Sequence, residues 1–283
     1  MNREQIYDLI RQVFTQCPGN AIAPEVALIP ELAGAQIFQE PLIRVASAAD
    51  PLYAKLTEPE VIGPWHMGPE QWLPGAKAIV SVFFPFTEII KAGQRPETEC
   101  TKPCWLHGRV EGQNFINAFT KMLCEKLTEA GVGCCAPCVD PRFVSTMSAT
   151  TAFPGYPDTG KPLYSSNWSE RHTAYIAGMG TFGLSKGIIT EKGMAGRLTS
   201  VIVDLPLEAT ERPYTGLYDY CIFCGACVRR CPVDAISLDG GKEHPPCGKR
   251  MAQTKITYAP RYGCGACQTG IPCESRNPSR KEN

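Results

Sequence analysis

With 283 residues, 43% of them hydrophobic, the chain is long enough for one sizeable core and a small satellite module. Its 28 Lys and Arg balance 28 Asp and Glu, so bulk electrostatics offer no case for nucleic acid. No apolar run approaches a membrane span, and the polar start Met1-Asn-Arg-Glu-Gln5 carries no secretory, twin-arginine or lipidation signal; the expected compartment is the cytoplasm, where disulfide stapling is not expected.

In chain order, Ile6, Leu9, Ile10, Val13 and Phe14 repeat at helical spacing and predict a helix over 3–16, stopped by Cys17-Pro-Gly-Asn. A Pro- and Gly-rich stretch follows to about Gly75, with Trp65, His66 and Trp72 embedded in it. Its apolar content predicts irregular structure wrapped on the core rather than a solvated linker. The run Ala78–Phe84 is continuously apolar and bounded by Pro-Gly and Pro, as in a strand buried on both faces. Phe115, Ile116, Phe119, Leu123 and Leu127 mark a helix ending at Gly131. Cys100, Cys104, Cys134, Cys135 and Cys138 form two short knuckles that together offer a four-thiolate metal site, or else buried or redox-active thiols.

Asn167-Trp-Ser-Glu170 has the pattern of a capping box, opening a helix to Ala177. The glycines Gly178, Gly180 and Gly183 then form a G-x-G-x-x-G, but a dinucleotide fingerprint needs a strand before it and a helix after, and here the order is reversed. They suit a close backbone approach to something large and flat, or a tight helix-to-strand connection. Gly187–Thr190 and Leu198–Asp204 read as two strands of a hairpin joined by Glu191–Gly196. The fold class expected is α+β, with a core over residues 1–216 and a cluster module over 217–283.

That module opens with Cys221-Ile-Phe-Cys224-Gly-Ala-Cys227-Val-Arg-Arg-Cys231-Pro232, the spacing of ferredoxin-type 4Fe-4S ligation. Three thiolates two residues apart wrap one cubane on a tight turn, while the fourth, followed by Pro, is carried away toward a second cluster. Cys247, Cys264, Cys267 and Cys273 supply the rest. Pairing across the two motifs assigns Cys221, Cys224, Cys227 and Cys273 to one cluster, and Cys231, Cys247, Cys264 and Cys267 to the other. Structural zinc is the alternative for paired knuckles, but a third Cys at the same short spacing is poor zinc geometry. From Cys221 onward Lys and Arg outnumber Asp and Glu about two to one, and cations near anionic clusters raise their potential or guide a donor.

The segment Ser165–Gly187, the following strands and the two cluster motifs, in that order, resemble epoxyqueuosine reductase and its relatives, which include the reductive dehalogenases. The resemblance implies a nitroreductase-like α+β core that holds cobalamin, followed by a two-cluster ferredoxin-like domain. One cluster would lie close to the corrin, and the other would relay electrons from an external low-potential donor of ferredoxin or flavodoxin type. The corrin would rest against Gly178, Gly180 and Gly183 and against the strand near Thr199 and Ser200. No histidine ligand to cobalt is implied, and His66, His107, His172 and His244 read as packing or surface residues. The relatives use an Asp or a Tyr as proton donor just before the motif helix; Tyr164 stands there, with Asp158 a few residues away. The activity implied is reduction of a small organic substrate; the alternative is an electron-transfer or corrinoid-reactivating protein serving a partner corrinoid protein. Transfer RNA is a possible but less favoured partner, because of the zero net charge and the short tail after the cluster module.

Overall fold

The computed structural model describes residues 1–146 and 150–280. The principal helices are α1 (Arg3–Gln16), α2 (Pro103–Glu129), α3 (Glu170–Ile176) and α4 (His244–Thr257). The strands are β1 (Leu42–Ser47), β2 (Ala78–Pro85), β3 (Cys134–Cys135), β4 (Gly180–Phe182), β5 (Ile188–Thr190), β6 (Gly196–Val203), β7 (Ile236–Ser237) and β8 (Gly241–Lys242). The expected α+β core is present. Among the described residues no helix is long and apolar enough to cross a membrane.

An antiparallel sheet in the order β1-β2-β6-β3 forms the centre. Every residue of β2 is buried, as its apolar run requires for a central strand covered on both faces. Alternation along it feeds two cores: Val80, Val82 and Phe84 meet α1 and α2, whereas Ile79 and Phe83 meet Trp72, Trp168 and α3. Fully burying each such side chain contributes about 1.5–3 kcal/mol. Ser81 and Ser200 are register partners on the α3 side, a polar pair at the centre of an apolar face.

Helix α1 is capped as a reciprocal box: Asn2 Oδ1 accepts from Gln5 N–H at 3.0 Å, and Gln5 Oε1 accepts from Asn2 N–H at 2.9 Å. Helix α2 starts twelve residues before its apolar repeat, with Pro103 in its first turn. Its end is a Schellman turn in which Gly131, at φ +77°, and Val132 donate to the carbonyls of Thr128 and Leu127. Gly112 lies where an added Cβ would stand 2.9 Å from the Phe38 ring, so α2 accepts a mid-helix glycine to pack closely on the aromatic cluster of Phe38, Phe84, Phe86, Phe115 and Phe119.

Two local expectations are corrected. The strands 188–190 and 196–203 do not form a hairpin with each other: β5 pairs with β4, and β6 pairs with β2 and β3. Residues 191–195 instead dock on the end of the cluster module, with Met194 N–H donating to the Cys273 carbonyl at 2.9 Å and Ala195 N–H to that of Glu274 at 3.0 Å. The capping box at Asn167 does not form either. Asn167 Oδ1 accepts from Val144 N–H at 2.9 Å and its amide donates to the Arg142 carbonyl at 2.8 Å, holding a distant loop, and α3 begins at Glu170 without a side-chain cap.

The glycines after α3 have local reasons. A Cβ on Gly178, at φ +79°, would stand 2.5 Å from the Glu211 carbonyl oxygen, and one on Gly180 only 2.0 Å from that of Ile189. Gly180→Ala should therefore lower stability by on the order of 1–3 kcal/mol through forced separation of β4 from β5, with no cofactor present. Thermal denaturation of the cofactor-free protein checks this; an unchanged midpoint would mean that the strands part freely.

Candidate functional site

The eight cysteines of the module fall into two sets with different surroundings. Cys221, Cys224, Cys227 and Cys273 line one small apolar cavity with Gly183, Ile189, Met194 and Ile271. Burial, then the neighbouring Cys267, Cys221 and Cys224, push the Cys227 thiol up to about 11; burial, then Cys227, Cys221 and Cys224, push Cys273 up to about 12. These thiols repel one another as thiolates until a cation is shared. Cys273 is fixed from outside the module: besides its bond from Met194, the next residue, Glu274, is buried and pairs with Arg95 Nε at 2.9 Å.

Cys231, Cys247, Cys264 and Cys267 open instead into a cavity of about 1860 Å³. Cys267 is raised by burial, with Cys264, Cys247 and Cys231 adding to the rise and Lys242 opposing it. Cys231 Sγ accepts from the Ala235 N–H at 3.2 Å. The second Gly-Ala pair has a packing reason, since a Cβ on Gly265 would stand 2.5 Å from the Trp105 ring on α2. Among the described residues, no three His, Cys, Asp or Glu side chains converge on a single ion.

The cavity wall is made by α2, α3, β6, the 156–166 segment and the cluster module. Arg171 of α3 and Lys242 of β8 face the second cysteine set. Burial lowers Lys242, but Cys267 and Cys247 outweigh it and the net shift is upward. Burial also lowers Arg171, against the pull of the same two sulfurs. Its side chain is exposed only toward the cavity it lines. His172 and His244 also line the cavity and are held down at about 4, first by burial and then by Arg171 and, for His244, by Lys186 and Lys242 as well. Both are neutral at pH 7. His172 packs against Phe182 and His244 against Tyr164, and His66 and His107 are buried.

Tyr164 lines the cavity, its ring stacked on His244 at 5.5 Å and packed against Gly248. Asp158 lines the same wall at an exposed turn, where it accepts from Gly160 N–H at 2.8 Å. Gly178, Gly180, Thr199 and Ser200 do not line it, and Gly183 belongs to the smaller cavity over the first cysteine set. Thr199 and Ser200 are wholly buried behind the wall, bonded to Thr120 at 3.1 Å and to Trp168 Nε1 at 3.0 Å. Their neighbours Arg197, Leu198, Phe182 and Ile188 face the cavity instead.

The residue that sequence reasoning missed is Glu170. Read as a capping residue, it sends its carboxylate into the protein beside Ser200 and Trp168, and both oxygens are buried without a hydrogen-bond partner among the described residues. The Trp168 indole that would serve it is committed to Ser200. Burial pushes the acid up to about 7, against smaller opposing contributions from Ser200 and Trp168. Tyr53 OH, His66 and Ser81 are further buried polar groups lacking partners on this side of the sheet.

The remaining cysteines do not form one site. Cys104 begins α2 and Cys124 nears its end, about 30 Å apart at the rise of an α-helix. Cys134 lies at Cys124's end, its Sγ 3.5 Å from the Cys124 carbonyl, and Cys138 contacts Thr199. A four-thiolate site shared with Cys100 and Cys104 is geometrically closed.

The 4Fe-4S binding domain family matches residues 217–237. Epoxyqueuosine reductase of Staphylococcus aureus is 33% identical over 115 residues, covering 37% of this chain and 29% of that protein. The enzyme of Leadbetterella byssophila is 35% identical over 128 residues, covering 40% and 38%. The chain is similar to epoxyqueuosine reductases. A crystal structure of epoxyqueuosine reductase with an epoxyqueuosine-modified tRNA-Tyr stem loop superposes with a TM-score of 0.50 at 17% identity, over 95% of this chain and 66% of that one, and the two share a fold. The matches span well under half the length of the curated relatives.

Between the ordinary carboxylate value of 4.5 and about 7, folded Glu170 keeps a proton that the unfolded chain has lost. Stability therefore falls as pH rises through that window, by on the order of 3 kcal/mol, and levels off above it. Glu170→Gln should flatten that slope in anaerobic melting curves taken between pH 5 and 8, as about the expected window. An identical pH profile in the variant would show the carboxyl to be solvated.

Proposed function

We propose that this protein is an iron-sulfur oxidoreductase in which two 4Fe-4S clusters carry electrons from an external donor to a cobalamin in the large cavity, where a small organic substrate is reduced. One observation carries this reading: the cysteine set of 231, 247, 264 and 267 lines the cavity, and the set of 221, 224, 227 and 273 lies outside it. The outer set would hold the cluster that receives electrons, since Cys224 is exposed beside Ile222 and Phe223, where a ferredoxin or flavodoxin type of donor can approach. The inner set would hold the cluster that delivers them.

The residues fit the groups assigned to them. Eight thiolates divide into two sets of four, and the cavity exceeds the roughly 300–1000 Å³ of ordinary small-ligand pockets, as a macrocycle requires. When bound, the clusters supply low-potential single electrons and cobalamin supplies a strongly reducing metal centre. The chain's own part is to seat and to protonate. Phe182, Ile188 and Leu198 offer an apolar wall for a flat ligand, with Gly178, Gly180, Thr199 and Ser200 supporting it from behind and Gly183 adjoining the outer set. Tyr164 is the proposed proton donor, and Glu170 is a buried carboxyl that holds its proton near neutrality. The division into a 1–216 core and a 217–283 cluster module follows from the same assignment.

The inner cysteine set, Tyr164 and Glu170 lining one cavity supports substrate turnover over simple relay to a partner corrinoid protein, which needs no acid there. The relatives' name makes epoxyqueuosine in tRNA the first macromolecular substrate to assay.

Anaerobic reconstitution with iron and sulfide, followed by titration with cobalamin under absorption and electron paramagnetic resonance, tests the proposal. About eight irons per chain are expected, with about four in Cys224→Ser and in Cys267→Ser, and stoichiometric cobalamin binding. Unchanged iron in either variant would sink the ligand assignment; two clusters without cobalamin would leave an electron-transfer protein. In protein carrying both groups, Tyr164→Phe should suppress turnover by about 10²-fold or more while iron and cobalamin stay bound. Unaltered rates would reduce Tyr164 to a packing residue.

A further inference from the structure

On α2 the residues Trp105, Arg109, Gln113 and Asn117 recur every fourth position and all line the large cavity. They form a stripe distinct from the apolar one of Phe115, Phe119 and Leu123 that faces the core. Arg197 of β6 lies against it, its Nε 3.1 Å from Gln113 Oε1 and its Nη2 on the same oxygen. Gln113 in turn donates to Asn117 at 2.8 Å. Arg109 donates to the Tyr262 hydroxyl at 3.1 Å and lies over that ring at 4.7 Å. One wall thus holds two guanidinium groups, pinned by neutral partners.

Neither arginine has a carboxylate partner among the described residues, although the chain pairs its other partly buried arginines freely, as Arg261 with Glu111 and Arg95 with Glu274. Nor do the cluster thiolates answer them. Arg171 and Lys242 feel Cys247 and Cys267, whereas Arg109 feels only Tyr262, and Arg197 feels Arg109, Tyr262 and Arg171. Burial lowers both Arg109 and Arg197, Arg197 strongly. Unpaired cations away from water are costly, and guanidinium forks match planar anions in two-point geometry. The missing counter-charge belongs to whatever occupies the cavity.

We propose that Arg109 and Arg197 bind an anionic group of the substrate, so that the cavity selects small organic anions, carboxylates or phosphate esters, over neutral molecules of the same shape. This rests on the substrate cavity assigned above.

The test uses the full chain reconstituted anaerobically, with calorimetric titration of benzoate and of its neutral isostere benzamide, with and without cobalamin. Iron content and cobalamin binding, measured on the same samples, report separately on the assignment of the cofactors. Wild type should bind benzoate at least about tenfold more tightly than benzamide, the weight of one charge-assisted hydrogen bond, and the preference should fall with salt. Arg197→Gln and Arg109→Gln should each erase the preference at unchanged iron content. Equal affinity for the two probes in wild type overturns the proposal, and this arm needs no variant. A benzoate preference that survives both substitutions overturns it too. If cobalamin abolishes the preference and the variants instead lose cobalamin affinity, the arginines serve the cofactor's phosphate and the substrate assignment fails. Binding of a tRNA stem loop that depends on Arg197, without binding of benzoate, assigns the wall to RNA and fails it equally.

Discussion

Charge removed from water without a partner of opposite sign is the constraint on which the cavity depends. Eight thiols are gathered into two sets, and four of them share a cavity with Arg109, Arg171, Arg197 and Lys242. In ordinary packing such a concentration of cations would be dispersed or matched by carboxylates, because each unpaired buried charge costs several kcal/mol. The chain matches carboxylates to arginines elsewhere, at Glu111 and Glu274, and uses those pairs to clamp the cluster module onto the core. Among the described residues it pairs neither Arg109 nor Arg197 with a carboxylate, although Glu60, Asp158 and Glu170 also line the cavity. Arg171 and Lys242 lie toward Cys247 and Cys267; were those sulfurs to hold a cluster as proposed, cations beside it would favour its reduced state.

The architecture follows from how those groups are held in place. The central sheet, buried on both faces, is a rigid plate, and the two sides serve different ends. Toward α1 and α2 it is mainly aromatic and aliphatic, with Thr199 bonded to Thr120. Toward α3 it carries Ser81 and Ser200 in register, with Trp168 bonded to one of them and Glu170 behind. Polar groups in such a place persist only where something satisfies or uses them. Helix α2 spans both roles at once: one stripe closes the aromatic core, another walls the cavity, and its first turn meets the second Gly-Ala pair at Gly265.

Much of the fold was legible because periodicity reports burial. Helix α1, the buried strand β2 and the glycine stop of α2 all follow from repeats and turn chemistry in the chain. Spacing divided the cysteines into two sets of four; Cys267 and Cys273 feel sulfurs of their own set, whereas Cys227 feels Cys267 of the other set as well as Cys221 and Cys224. Strand β1 was hidden in a Pro- and Gly-rich stretch, where a short strand at the edge of a sheet has too few residues to register a period. The pairing of β5 with β4 rather than β6 was equally hidden, because a turn-rich link of six residues suits a hairpin as well as a loop docked on Cys273.

Glu170 shows why local pattern fails at a site. Asn-x-x-Glu before an apolar run is a sound rule where both side chains are free to turn back on the helix. Here Asn167 is drawn away by the backbone of residues 142 and 144, a contact across more than twenty positions that no window reveals. Without its reciprocal partner, the glutamate points inward, where burial raises it to about 7. The glycines also have a local reason: Gly178 and Gly180 are required by the carbonyls of Glu211 and Ile189, where the protein's own backbone crosses closely. Beside the expected positions, Phe182, Arg197 and Leu198 line the cavity, whereas Thr199 and Ser200, further along β6, are wholly buried. The motif thus lies beside the cavity, and burial rather than periodicity decides which of its neighbours reach it.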